Sequence, residues 1–188
     1  EVSVPVEKRW VGPAAAKATV RLLADGEDTG RTVELTESND WKGSFDGLAK
    51  YSESGSVIAY TVAEDPVEGY SSEVTGDAES GFTVTNASTA EVSVPVEKRW
   101  VGPAAAKATV RLLADGKDTG KSLELSEANC WKGSFDGLAK YSKSGSEVSY
   151  TVAEDAVDGY SSEITGDAGR GFTVTNTVKT GELDVSKT

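Results

Sequence analysis

Lys8, Glu64 and Asn86 occupy positions that the surrounding pattern reserves for core side chains. Lys8 continues the alternation Val2-x-Val4-x-Val6-x-Lys8-x-Trp10. Glu64 ends Tyr60-x-Val62-x-Glu64, and Asn86 ends Phe82-x-Val84-x-Asn86. Alternate residues of a strand share a face, so all three should point inward. The same types return as Lys98, Glu154 and Asn176, each ninety positions on. An isolated charge in a dry core is very costly unless paired or neutralised. An amine, a carboxyl and a carboxamide in aromatic surroundings are the components of a Lys–Asn amide cross-link. Burial disfavours the charged forms of amine and carboxyl alike. A neutral amine is a nucleophile and an ammonium is not. A protonated Glu64 can donate to the Asn86 carboxamide oxygen, then shuttle protons while ammonia leaves. Contact between amine and carboxamide supplies a high effective concentration, so one slow turnover after folding suffices. Trp10, Tyr60 and Phe82, with Trp100, Tyr150 and Phe172 in the second copy, share these faces and would exclude water. On the residues alone a plainer reading stays open: Lys8 snorkels to the surface, Asn86 caps a strand end and Glu64 begins a turn.

Other chemistry is poorly supported. The chain has no histidine, which excludes Ser-His-Asp and Cys-His nucleophile arrangements. Asp25, Glu27 and Asp28 suggest a calcium loop, but EF-hand spacing is missing and Lys117 replaces Glu27 in the second copy. That segment reads as a hairpin turn. Neighbours on a strand face opposite ways, so Glu64-Asp65 is a poor glycosidase pair. Cys130, the one cysteine, has Asp40 as its counterpart and reads as incidental; no disulfide within a domain is possible. No metal or cofactor is expected. The net charge of −12, without a basic patch, argues against nucleic acid. No run of eighteen apolar residues exists, which argues against membrane insertion.

The elements that must position the three residues are strands. Residues 1–86 and 91–176 align without a gap and differ at 16 of 86 positions. This is a whole small domain copied in tandem. In the first copy strands are expected at 2–11, 17–24, 31–35, 40–45, 57–64, 69–75 and 81–86, with turns at 25–30 and 46–55. Trp41 and Phe45 should share a face across Gly43. Pro5 argues that one edge of the first strand is locally unpaired. The Ala-rich segment 13–17 has room for one helical turn. Seven short strands with regular turn signals indicate an all-β fold of two antiparallel Ig-like sandwiches.

The domains are placed at 1–88 and 89–178, with 179–188 a tail. The linker Ala87-Ser88-Thr89-Ala90 is short enough to suggest a stiff rod; the fragment is expected to be a monomer. Glu182-Leu183-Asp184-Val185-Ser186-Lys187-Thr188 reads either as the opening strand of a third domain or as a polar tail. The lack of an initiator Met and a signal peptide reads as a piece of a longer protein.

Several motifs together resemble the B-type repeat domains of collagen adhesins, the Cna-B domains. They are Lys-x-Trp in the first strand, Tyr-Thr-Val-x-Glu in the fifth and Thr-Val-Thr-Asn in the last. Leu-Leu-Ala-Asp-Gly, Gly-Leu-x-Lys-Tyr and Val-x-Gly-Tyr, between them, look similar too. The resemblance covers 1–178, twice over. It implies stalks or pilus shafts on the surface of Gram-positive bacteria. It also implies a self-generated Lys–Asn isopeptide bond assisted by an acidic residue. Carried over, Lys8 would join Asn86 with Glu64 assisting, and Lys98 would join Asn176 with Glu154 assisting. Val11-Gly12-Pro13 departs from the acidic residues the family often has after the Trp, which touches only a loop. The implied partners are neighbouring repeats, and host matrix protein through other domains. Wall anchoring is implied by the resemblance alone, since no LPxTG-type motif is present. Rival readings are a ligand-binding adhesin module for matrix or glycan, and a sugar-binding accessory domain. Neither the residues nor the resemblance indicates an enzyme that turns over.

Overall fold

The computed structural model describes residues 1–181. The segment read as a third opening strand, with Lys187, lies outside them. The chain divides into two compact units, one of Glu1–Ala90 with Tyr141–Glu147 and one of Glu91–Lys140 with the described residues from Val148.

The first unit has seven strands: β1 (Val2–Val11), β2 (Ala18–Ala24), β3 (Glu27–Leu35), β4 (Lys42–Leu48), β5 (Tyr60–Glu64), β6 (Tyr70–Asp77) and β7 (Gly81–Ser88). The second repeats them as β8 (Glu91–Val101), β9 (Ala108–Ala114), β10 (Lys117–Leu125), β11 (Lys132–Ala139), β12 (Tyr150–Glu154), β13 (Tyr160–Asp167) and β14 (Gly171–Val178). In each unit two sheets face each other, ordered β4-β1-β7-β6 and β3-β2-β5 in the first. All pairings there are antiparallel except one: β1 and β7, first and last in sequence, run parallel. This is the Ig-like sandwich expected, with a parallel seam at its centre.

The core follows the period-2 pattern. Val4, Val6, Val20, Leu22, Leu35, Phe45, Leu48, Val62, Phe82 and Val84 form one buried cluster between the sheets. Pro5 lacks an N–H and pairs with Ser44 of β4, while the ladder to β7 opens one residue later at Val6.

Several local expectations differ from the structure, among them the fifth strand, which begins at Tyr60 and not at 57. Residues 25–30 are not one loop: Asp25-Gly26 makes the turn and β3 starts at Glu27. A register shift between Arg21 and Leu23 then absorbs the extra residues. Asp28 Oδ1 accepts the Gly30 N–H at 2.7 Å, so that carboxylate organises the hairpin. Residues 13–17 make bends and no helical turn. The fourth strand begins at Lys42, because Glu37–Asn39 forms a 3-10 turn and Asp40 and Trp41 both take left-handed φ, 52° and 58°. Trp41 is therefore displayed by a turn and not by a strand.

Candidate functional site

Lys8 and Asn86 come from one sheet and Glu64 from the other. Lys8 lies on β1 opposite Val84 of β7, and Trp10 lies opposite Asn86. Lys8 and Asn86 are thus diagonal neighbours on one inward face. Glu64 ends β5, opposite Val20 of β2. Strand alternation sends Asp65 the other way. The Glu64 side chain is 2% exposed and that of Asp65 39%. Asp65 is held outside by Arg21, whose Nε and Nη2 lie 2.5 and 3.1 Å from its two oxygens. That clamp fixes the end of β5 and so aims Glu64 inward.

Inside, one oxygen joins all three. Glu64 Oε1 lies 3.0 Å from Lys8 Nζ and accepts the Asn86 Nδ2 hydrogen bond at 3.0 Å. Lys8 is 3% exposed and Asn86 fully buried. The second copy repeats this: Glu154 Oε1 lies 3.4 Å from Lys98 Nζ and accepts from Asn176 Nδ2 at 3.1 Å. Lys8 Nζ also donates to the Val84 carbonyl at 3.4 Å. Burial pushes the Lys8 amine below the usual lysine range, against the opposing pull of its hydrogen bond and charge pairing with Glu64. Lys98 is lowered for the same reason, burial outweighing Glu154. The snorkelling alternative therefore fails, because neither ammonium reaches water.

One detail departs from the expectation that Glu64 donates to the Asn86 oxygen. Glu64 Oε1 faces both nitrogens, Lys8 Nζ and Asn86 Nδ2, and not the Asn86 oxygen. Glu64 Oε2 and Asn86 Oδ1 are left buried without partners, as are Glu154 Oε2 and Asn176 Oδ1.

The aromatic surroundings are partly those anticipated. Lys8 Nζ sits 4.4 Å from the Trp10 ring centroid, and Lys98 Nζ 4.2 Å from Trp100. Trp41 and Tyr70 meet Trp10 edge-on at 5.3 and 5.0 Å. Trp131 and Tyr160 do the same to Trp100. Phe82 and Tyr60 lie one strand-half away, Phe82 opposite Val6 and Tyr60 opposite Ala24. Phe82 seals the core, as does Phe172. The Tyr60 hydroxyl donates to the Ala49 carbonyl just after β4, and that of Tyr150 to the Ala139 carbonyl at the end of β11. Sequence reasoning missed Trp41 and Tyr70 as site residues. Their signal lay in the turn chemistry around Asp40-Trp41, where the Trp41 carbonyl accepts the Lys8 N–H at 2.8 Å.

The family model described as Cna protein B-type domain matches residues 4–87 and 94–177. The chain belongs to the Cna B-type domain family. The two Cna B-type domains are 37% identical over 188 residues to a collagen adhesin of Staphylococcus aureus. That alignment takes in 93% of this chain but 15% of the relative's length. Among solved structures, a single B repeat unit of the S. aureus collagen-binding surface protein is 35% identical. It aligns with 95% of this chain and 99% of its own, at a TM-score of 0.45. A two-repeat structure of that protein aligns with 95% of this chain and 49% of its own, at 35% identity and a TM-score of 0.44.

Proposed function

We propose that this chain is a stalk segment of a Gram-positive surface adhesin or pilin, each of its Cna B-type domains stapled by a self-formed Lys–Asn isopeptide bond. The observation that carries the reading is the single Glu64 oxygen shared by Lys8 Nζ and Asn86 Nδ2 in a site shut from water, and its repetition at Glu154. Proton transfer from Lys8 to Glu64 yields a free amine beside the carboxamide. Nζ attacks Asn86 Cγ, forming a C–N bond; Glu64 delivers its proton to the departing nitrogen as the Cγ–Nδ2 bond breaks, and its carboxylate then takes the proton that Nζ sheds. Ammonia leaves and an amide remains. The same groups act at Lys98, Glu154 and Asn176. Each domain reacts once with itself, so the chain is not a turnover enzyme and needs no cofactor.

Membership in the family, and similarity to a protein named for collagen adhesion, support a location outside the cell between neighbouring repeats. Binding of host matrix would then belong to other parts of the full-length protein. Intact-mass measurement tests the reading. Each bond removes one ammonia, so the chain should weigh about 34 Da less than its sequence, about 17 Da per domain. An unshifted mass overturns the staple.

A further inference from the structure

Each domain holds three buried side-chain atoms without a hydrogen-bond partner among the described residues: Trp10 Nε1, Glu64 Oε2 and Asn86 Oδ1 in the first. The second has the same three, at Trp100, Glu154 and Asn176. Such atoms are rare and costly in a native core. The second copy, identical in sequence around these residues, keeps the same set.

The set is one donor and two acceptors while Glu64 is ionised. The imbalance disappears when the Lys8 proton moves to Glu64. The carboxyl then offers an O–H, the indole offers an N–H, and the Asn86 carbonyl oxygen has two lone pairs. Two donors converging on one carbonyl oxygen make an oxyanion hole. Placement favours this convergence. Trp10 is the register partner of Asn86 on the adjacent parallel strand, and its ring already lies against the attacking amine.

We propose that the indole N–H of Trp10, and of Trp100 in the second domain, is the second hydrogen-bond donor to the Asn carbonyl oxygen as the isopeptide bond forms. This rests on the stapling reading above. With Glu64 Oε1 facing the two nitrogens no such bond is made. It forms as negative charge develops on Oδ1 during attack by Nζ, where a donor is most effective. No atom is transferred to or from the indole. The competing role for this N–H is an edge contact with the Trp41 or Tyr70 ring, a weak interaction that leaves the reaction untouched.

The tandem copy supplies an internal control. Chains carrying Trp10→Phe are unfolded before reaction, refolded, and followed by intact mass and by peptide mapping of each domain. A third chain carries a benzothiophene analogue of Trp at position 10, which keeps the bicyclic shape and lacks the N–H. Both variants should link the first domain about a hundredfold more slowly than wild type, the typical cost of one lost oxyanion donor. The second domain should keep its normal rate in the same molecules. A benzothiophene chain that links at the wild-type rate overturns the donor role, whatever Trp10→Phe does. Failure of wild type to lose ammonia in either domain overturns the stapling reading itself.

Discussion

Lys8 and Asn86 stand diagonally across the one parallel seam of their domain, on the first and last strands of the fold. A bond between them would close a loop of roughly 80 residues around the whole sandwich. Tension entering along β1 and leaving along β7 would then cross that bond and bypass the core. The seam's topology would make such a bond a mechanical staple as well as a thermodynamic one.

Glu64→Ala should fold and stay unlinked in the first domain alone, so the mass deficit should halve to about 17 Da. The unlinked domain should lose about 4–5 kcal/mol on a chain-entropy model of loop closure. Single-molecule pulling should show an added unfolding step of roughly 270 Å for the released residues. Wild type should show no such step. A full deficit in the variant would remove Glu64 from the mechanism.

The lowered Lys8 amine predicts a pH dependence of stability opposite to that of an ordinary paired lysine. Between its lowered folded value and the normal lysine value, the unfolded chain holds more protons than the folded one. Stability therefore rises with pH across that window and is lost as pH falls through the folded value. An Asn86→Ala chain keeps Lys8 unreacted, facing Glu64. Its urea stability relative to Asn86→Ala/Lys8→Met should climb from neutral pH toward pH 10. A difference that is flat with pH would show that Lys8 titrates normally.

The strands and the triad were legible in the sequence because both rest on period-2 alternation. Val4, Val6, Lys8 and then Val84, Asn86 declare their faces in sequence order. Pairing partners across sheets were not legible. Neither the parallel β1–β7 seam nor the shared Glu64 oxygen follows from any local pattern. The pattern Trp41-x-Gly43-x-Phe45 puts Trp41 on a strand face with Phe45. The left-handed pair Asp40-Trp41 instead ends a turn held by Asn39, whose Oδ1 accepts the Thr36 N–H at 2.8 Å. Such side-chain capping overrides strand propensity and shows only once the loop is built.

Gly43 carries a prediction that separates the two copies. A Cβ there would meet Val33 Cγ2 at 2.6 Å and Leu35 Cδ2 at 3.0 Å, both on β3 across the core. At Gly133 the nearest atoms are Leu123 Cδ1 at 3.1 Å and Leu125 Cδ2 at 3.2 Å. The difference traces to Val33 becoming Leu123: the leucine tips are more easily rotated aside than a β-branched methyl. Gly43→Ala should cost the first domain about 1–3 kcal/mol by overpacking, and Gly133→Ala should cost less. Thermal melts of unlinked chains, read domain by domain, check the order.

Tyr70→Phe isolates the last support of the aromatic cluster. The Tyr70 hydroxyl donates to the Pro13 carbonyl at 2.5 Å, tying β6 to the loop after β1, while its ring meets Trp10. Tyr160 makes the same bond to Pro103. Phenylalanine keeps the ring and drops the tie, so stability should fall by about 1 kcal/mol. The linking rate should stay within a few-fold of wild type, because neither the amine, the carboxyl nor the indole N–H is changed. A large fall in rate, with stability unaltered, would mean that the loop position governs access of Lys8 to Asn86.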